Sequence, residues 1–248
     1  MDSAGPTVVD TVAAISQLVD LFNNLPNELP SLYIDIEGIN LSRHRSISII
    51  QIFLLPRNRT YLIGIHTLGQ LAFTTPSASG RTFKMVLESG HIQKAFFDVR
   101  NDSDALYNHF SIHLAGIHDI QLLELATRNF SRRCINGLAR CIERDAQLTM
   151  SEAIEWKRAK DRGRMLFAPE RGGSYDVFNH RPLSEDIIKY CALDVQILPR
   201  LWQIYHTKLG WRWKANVEAA VKDRINVCLQ ADYTGVGSHM AMAPVSWA

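Results

Sequence analysis

Cysteine is scarce and scattered. The chain has four, Cys134, Cys141, Cys191 and Cys228, and no two stand in a CxxC spacing, which argues against a zinc ribbon. Unpaired thiols so placed read as small apolar core residues of a protein from a reducing compartment. No apolar run approaches the ~20 residues that cross a bilayer. The longest, around Ile49 to Leu55, is broken by Gln51. The start of the chain has no basic stretch leading into an apolar one; Asp2, Asp10 and Asp20 stand there instead. No signal or transit peptide is therefore expected, and the protein is placed inside the cell, in nucleus or cytoplasm and away from membrane. An excess of either charge is missing too. With 27 Lys+Arg against 25 Asp+Glu and a net charge of +2, bulk charge does not announce a nucleic-acid or membrane binder. His66, His91, His113 and His118 match no metal-ligand spacing such as HExxH, and Gly172-Gly173 lacks the Lys-Ser/Thr context of a phosphate loop.

What is present is an ordinary globular chain. Its 248 residues are 46% hydrophobic and 21% charged, which excludes a disordered or collagen-like protein and fits one domain or at most two. Val8, Val12, Ile15, Leu18, Val19 and Phe22 fall on one helical stripe, so a helix is expected over Val8 to Phe22, ended by Pro26 and Pro30. The period then changes. Leu32 to Gly38, Ile47 to Leu55 and Tyr61 to Ile65 read as a meander of three strands. Strands at Lys94 to Val99 and Leu114 to Ile117 follow, each ahead of a helix. From there helices alone are expected, roughly Ile135–Glu143, Met150–Lys160, Ser184–Leu209 (kinked or divided at Pro199) and Trp211–Leu229, and then a tail. This is an α/β pattern: a mixed five-stranded sheet with flanking helices and a helical C-terminal extension, its βαβ parts parallel and right-handed.

Three segments carry chemistry. Asp35 and Glu37 lie two apart in the first strand, so they share a face. Two anions on an apolar strand repel and lose hydration, and a divalent cation remedies both; an exposed edge facing water is the plain alternative. Tyr190 and Asp194 lie four apart on the strongest helix and project side by side. Asp98, Asp102 and Asp104 cluster where a strand hands over to a helix, a place where at least one acid is expected to cap the N-terminus.

In this order the segments resemble the DEDDy class of 3′–5′ exonucleases, which includes ribonuclease D, the Werner-type exonuclease domain and the eukaryotic exonuclease-domain-containing proteins. The resemblance runs from Leu32 to Trp202 and takes in Ser48-Ile49-Ile50-Gln51-Ile52, Asp119-Ile120-Gln121-Leu122-Leu123 and Arg181-Pro182-Leu183-Ser184. It implies a ribonuclease-H-like fold. It also implies that Asp35, Glu37 and Asp194 hold one Mg²⁺ or Mn²⁺, that Asp35 touches a second with Asp102 reaching it, and that Tyr190 orients the attacking water. Asp102 is preferred because Leu106, Phe110 and Ile112 follow at the family's apolar spacing; Asp98 and Asp104 are the alternatives. Two-metal hydrolysis of phosphodiesters would follow, acting on the single-stranded 3′ end of RNA or DNA and releasing nucleoside 5′-monophosphates. In this sequence Glu37 is followed by Gly38, where many proofreading relatives have threonine. Another reading keeps the fold as a non-catalytic RNA-binding or scaffold module. An endonuclease of the same fold is a third, which the Tyr190–Asp194 pair opposes.

Residues 1–30 are then an N-terminal helix and loop, 31–210 the exonuclease domain, and 211–248 a C-terminal helix and tail. Lys157, Arg158, Lys160, Arg162, Arg164 and Arg171 stand against only Asp161 and Glu170, either a rim that tracks phosphates or a solvated helix face. Phe167 is a candidate for base stacking or a packed anchor. Arg100 is a candidate phosphate contact or a counterion for Asp98. Lys157, Arg164, Phe167 and Arg100 are the candidate nucleic-acid contacts.

Overall fold

A computed structural model describes residues 5–247; the first four residues of the expected N-terminal segment and the last of the tail lie outside the described residues. Six strands form one sheet: β1 (Thr7–Val9), β2 (Leu32–Glu37), β3 (Ile49–Leu54), β4 (Arg59–Gly64), β5 (Lys94–Phe96) and β6 (Ile117–Asp119). Their order is β1-β4-β3-β2-β5-β6. β2, β3 and β4 are the antiparallel meander, while β5 and β6 add in parallel beyond β2.

The sixth strand is a correction. Thr7, Val8 and Val9 pair in parallel with Tyr61, Leu62 and Ile63 of β4 instead of opening the first helix. The helical phase of Val8 was coincidental. Three β-branched residues in a row favour an extended backbone, and the helix is started later by Thr11, whose side chain accepts from the Ala14 amide.

Eleven helices surround the sheet among the described residues. Before β5 come α1 (Val12–Asp20), α2 (Ile65–Leu68), α3 (Leu71–Thr74) and α4 (Phe83–Glu88). Between β5 and β6 lies α5 (Arg100–Phe110). After β6 come α6 (Ile120–Thr127), α7 (Leu138–Asp145), α8 (Met150–Phe167), α9 (Glu185–Gln196), α10 (Leu198–Lys208) and α11 (Trp211–Cys228). Pro199 does divide the long helical run: it occupies the first turn of α10, where its missing N–H costs nothing. Helix α8 runs on to Phe167, past the expected end at Lys160, from a capping box of Thr149 and Glu152. No described helix is long and apolar enough to cross a membrane.

The alternation of β2 decides which residues face which layer. Leu32, Ile34 and Ile36 pack with α1, α4 and α5 in one core cluster. Tyr33 faces the other way, against α6, α10 and α11. Asp35 and Glu37 share the face of Tyr33, toward α9, whose Ile187, Tyr190 and Cys191 pack on Ile49 of β3 and Leu62 of β4. Each fully buried Ile or Leu contributes roughly 1.5–3 kcal/mol, so the register that turns the two acids toward α9 is held by apolar side chains.

Candidate active site

Ligand oxygens of Asp35, Glu37 and Asp194 all lie within 4.8 Å of one another. Two come from the end of β2 and the third from α9, which crosses that strand. Gly38 follows β2, and a Cβ there would overlap the Ser46 carbonyl oxygen, so a side chain has no room in this loop.

Three acids so close disturb one another. Burial, then the Asp194 charge, raises the Asp35 carboxyl to about 7, with Lys160 pulling the other way. Burial and the charges of Asp35 and Asp194 raise Glu37 well above the ordinary carboxylate range. Asp194 is raised by burial against the opposing effect of Lys160. The cluster is a poor set of anions by itself and a good set of ligands for a hard cation. All its donors are carboxylate oxygens, which suits Mg²⁺ or Mn²⁺.

Lys160 was not singled out from the sequence as part of this site. It is 6% exposed and donates to the Asp194 carboxylate, and its Nζ lies 3.3 Å from the centroid of the Tyr190 ring. The pairing spans 34 residues, and within a basic helix nothing local distinguishes this lysine. Its burial beside Ala159 and Gly163 is set by tertiary packing, which the sequence does not carry. Gly163 is the second such residue: a Cβ there would overlap the Tyr190 ring, so α8 approaches α9 this closely only with glycine.

Tyr190 is 8% exposed. Burial, followed by the charges of Glu37 and Asp194, drives its pKa upward. It therefore stays a neutral phenol, able to donate and accept. Phe167 meets its ring edge-on at 5.0 Å and also packs on Phe178 and Tyr175. Phe167, half-buried, thus packs as a support for Tyr190.

The three acids at the β5–α5 junction are sorted by their partners. Arg100 binds Asp98 through two hydrogen bonds of 2.6 Å, so its guanidinium is committed there and does not line the acidic cleft. Asp104 accepts from the Arg43 backbone and side chain, both at 2.8 Å. Asp102, 6% exposed, makes no hydrogen bond or ion pair among the described residues. Its carboxyl is raised well above the usual range by burial, then by Asp35, Asp98 and Glu37. It lies within the field of the cluster but outside the group of three mutually close acids.

A cleft of about 370 Å³ opens over Asp35, Glu37, Tyr190 and Asp194, walled by Phe97, Leu138 and three residues of one α8 face, Trp156, Lys160 and Arg164. Lys157 is exposed on the same helix and does not line the cleft. The ligand set, a neutral phenol and flanking cations can together bind an anionic ester and a divalent ion.

A family model for 3′–5′ exonucleases matches residues 9–209. Among solved structures, ribonuclease D of Trypanosoma brucei in complex with RNA U12 has a TM-score of 0.76 at 19% identity, covering 99% of this chain and 78% of that one. Escherichia coli RNase D, described as an exoribonuclease involved in structured RNA processing, has a TM-score of 0.62 at 16% identity, covering 92% and 52%. Brucella melitensis NrnC with bound Mg²⁺ has a TM-score of 0.57 at 19% identity, covering 86% and 92%. At these identities the likeness is one of fold. No curated protein sequence matches the chain.

Proposed function

Because the chain belongs to the 3′–5′ exonuclease family, we propose that it is a metal-dependent enzyme that removes nucleotides from single-stranded 3′ ends of RNA or DNA, releasing nucleoside 5′-monophosphates. The convergence of Asp35, Glu37 and Asp194 within 4.8 Å carries this reading. These three would hold one Mg²⁺ or Mn²⁺, and Asp35 with Asp102 a second. Bound divalent ions supply an activated water near neutral pH and stabilise charge on the departing 3′ oxygen.

The remaining work falls to the protein. Tyr190, protonated throughout, hydrogen-bonds the attacking water and aims it; Phe167 and Gly163 hold its ring. Lys160 and Arg164 keep positive charge beside the cleft, where a phosphodiester would meet it. Lys157 and the other exposed cations of α8 lead the strand toward the site by its phosphates. Residues 31–210 form the catalytic unit in this reading, and 211–248 pack upon it.

An oligonucleotide labelled at its 3′ or its 5′ end, as RNA and as DNA, tests the proposal with Mg²⁺, Mn²⁺ or EDTA. Shortening from the 3′ end is expected with either ion, absent in EDTA and in Asp35→Ala, and strongly reduced in Tyr190→Phe. Activity that survives Asp35→Ala removes the mechanism. One observation favours the ion-free binding module: the Lys160 ammonium already neutralises Asp194. Oligonucleotide binding indifferent to EDTA, with no shortening, would select that reading.

A further inference from the structure

Asp102 has no partner of its own among the described residues, yet the residues around it are fastened by the end of the chain. Arg224 of α11, 8% exposed, bonds the buried Asp119 at 2.6 Å and reaches Asp98 at 3.4 Å. Asp119 in turn accepts from the Asp98 and Val99 amides, both at 3.2 Å, and so holds a turn in which Asp98 has a φ of 64°. Past that turn the grip continues. Arg100 donates to the Met240 carbonyl at 2.8 Å, and its own carbonyl accepts from the Cys228 thiol at 3.1 Å. Tyr233 donates to the Asn101 side chain at 3.1 Å. The contacts that Arg224, Cys228, Tyr233 and Met240 make here bridge 105 to 140 residues of sequence.

We propose that α11 and the segment after it form a clamp that seats the first turn of α5, so that Asp102 faces Asp35 and Glu37, and that Arg224 is a positioning residue for the second ion. The proposal rests on the function proposed above and extends it beyond the family match, which ends at residue 209. Val217, Ala220 and Val221 of α11 pack in the cluster on the sheet's far face, and Ile225 packs on both clusters; the polar contacts of Arg224 and Cys228 go to Asp98, Asp119 and Arg100, at and beside the turn that leads into Asp102. Ligands aimed by fixed neighbours bind ions more tightly, and loss of such a neighbour costs roughly 10–100-fold in affinity.

Gly235 supplies a gentle test. A Cβ there would overlap the Asn101 side-chain oxygen, so Gly235→Ala must push that side chain off the Tyr233 hydroxyl that it accepts from. Mn²⁺ titration of the full chain, followed by electron paramagnetic resonance, reads the ions without any reaction. Wild type is expected to take up two. Gly235→Ala should weaken the second by about tenfold or more, leave the first unchanged and keep the unfolding temperature. Asn101→Ala, which removes the same contact without a collision, should weaken the second ion to a similar extent. Arg224→Met should weaken it further, with partial recovery in Arg224→Lys. Equal second-ion affinity in folded Gly235→Ala and wild type overturns the clamp. Fewer than two ions in the wild type overturns the proposed function, and the clamp with it.

Discussion

Asp35 serves the site at the expense of the fold. Its carboxyl, raised to about 7 by burial and by Asp194, binds a proton more tightly in the folded chain than in the unfolded one. Its contribution to stability is therefore complete below the unfolded value of 3.8 and is lost as the pH rises through about 7. In EDTA, Asp35→Asn should come close to wild type near pH 4 and exceed it at pH 8 by up to about 4 kcal/mol, as read by urea unfolding. Mn²⁺ should close that gap by stabilising wild type alone. A gap that does not change with pH would contradict the raised carboxyl. Lys160 is the opposite case. Lys160→Met leaves a buried carboxylate unpaired, a loss of about 3–5 kcal/mol. Its unfolding temperature in EDTA should drop, and Mn²⁺ should raise it by more than in wild type. Asp35 with Glu37, and Tyr190 with Asp194, could each be put on one face from the sequence because spacings of two and four fix that, while the expectation that the two pairs meet came from the family resemblance. Lys160 could not, since its partner lies on another helix.

The pair α8 and α9 builds the cleft, and Gly163 sets how closely they approach. Alanine is the better helix former by about 1 kcal/mol, yet a Cβ at 163 overlaps the Tyr190 ring. Gly163→Ala should lower kcat by more than about tenfold, since small displacements of an aligning group are costly. KM for the oligonucleotide should stay near the wild-type value. A variant with full kcat would show that the ring has room to yield. The strands β2, β3 and β4 and helix α9 were readable because hydrophobic period and length agreed there. β1 was not: Val8 falls on the stripe of the helix that follows, and pairing with β4 decides the strand. The end of α8 was missed because its last turns are basic and exposed on most sides, which reads as loop.

The whole molecule is nearly neutral, with a net charge of +2, so attraction for a polyanion has to be local. Lys157, Arg158, Arg162 and Arg164 are all exposed along α8. The pairs that Arg162 and Arg171 make with Asp186 and Asp161, at 3.5 and 3.9 Å, lie in solvent and hold little energy. Binding of a single-stranded oligonucleotide to an Asp35→Ala background should weaken steeply with salt. Adding Lys157→Gln and Arg164→Gln should reduce the log–log slope by about 0.7 for each phosphate that is no longer neutralised. An unchanged slope would place the strand elsewhere. The sheet and its meander were legible at this level, but the fastening of α5 was not. Arg100 is held by the main-chain carbonyl of Met240, and Arg43, which binds Asp104 of α5, is itself held by the carbonyls of Ala231 and Gln230; a carbonyl leaves no mark in a sequence. That fastening also has an order in time. Arg100 and Met240 are 140 residues apart, and a ribosome adding roughly 5–20 residues per second needs on the order of ten seconds to make the interval. A nascent chain that has already displayed its acids has not yet made the groups that secure α5, so this part of the fold closes late in synthesis.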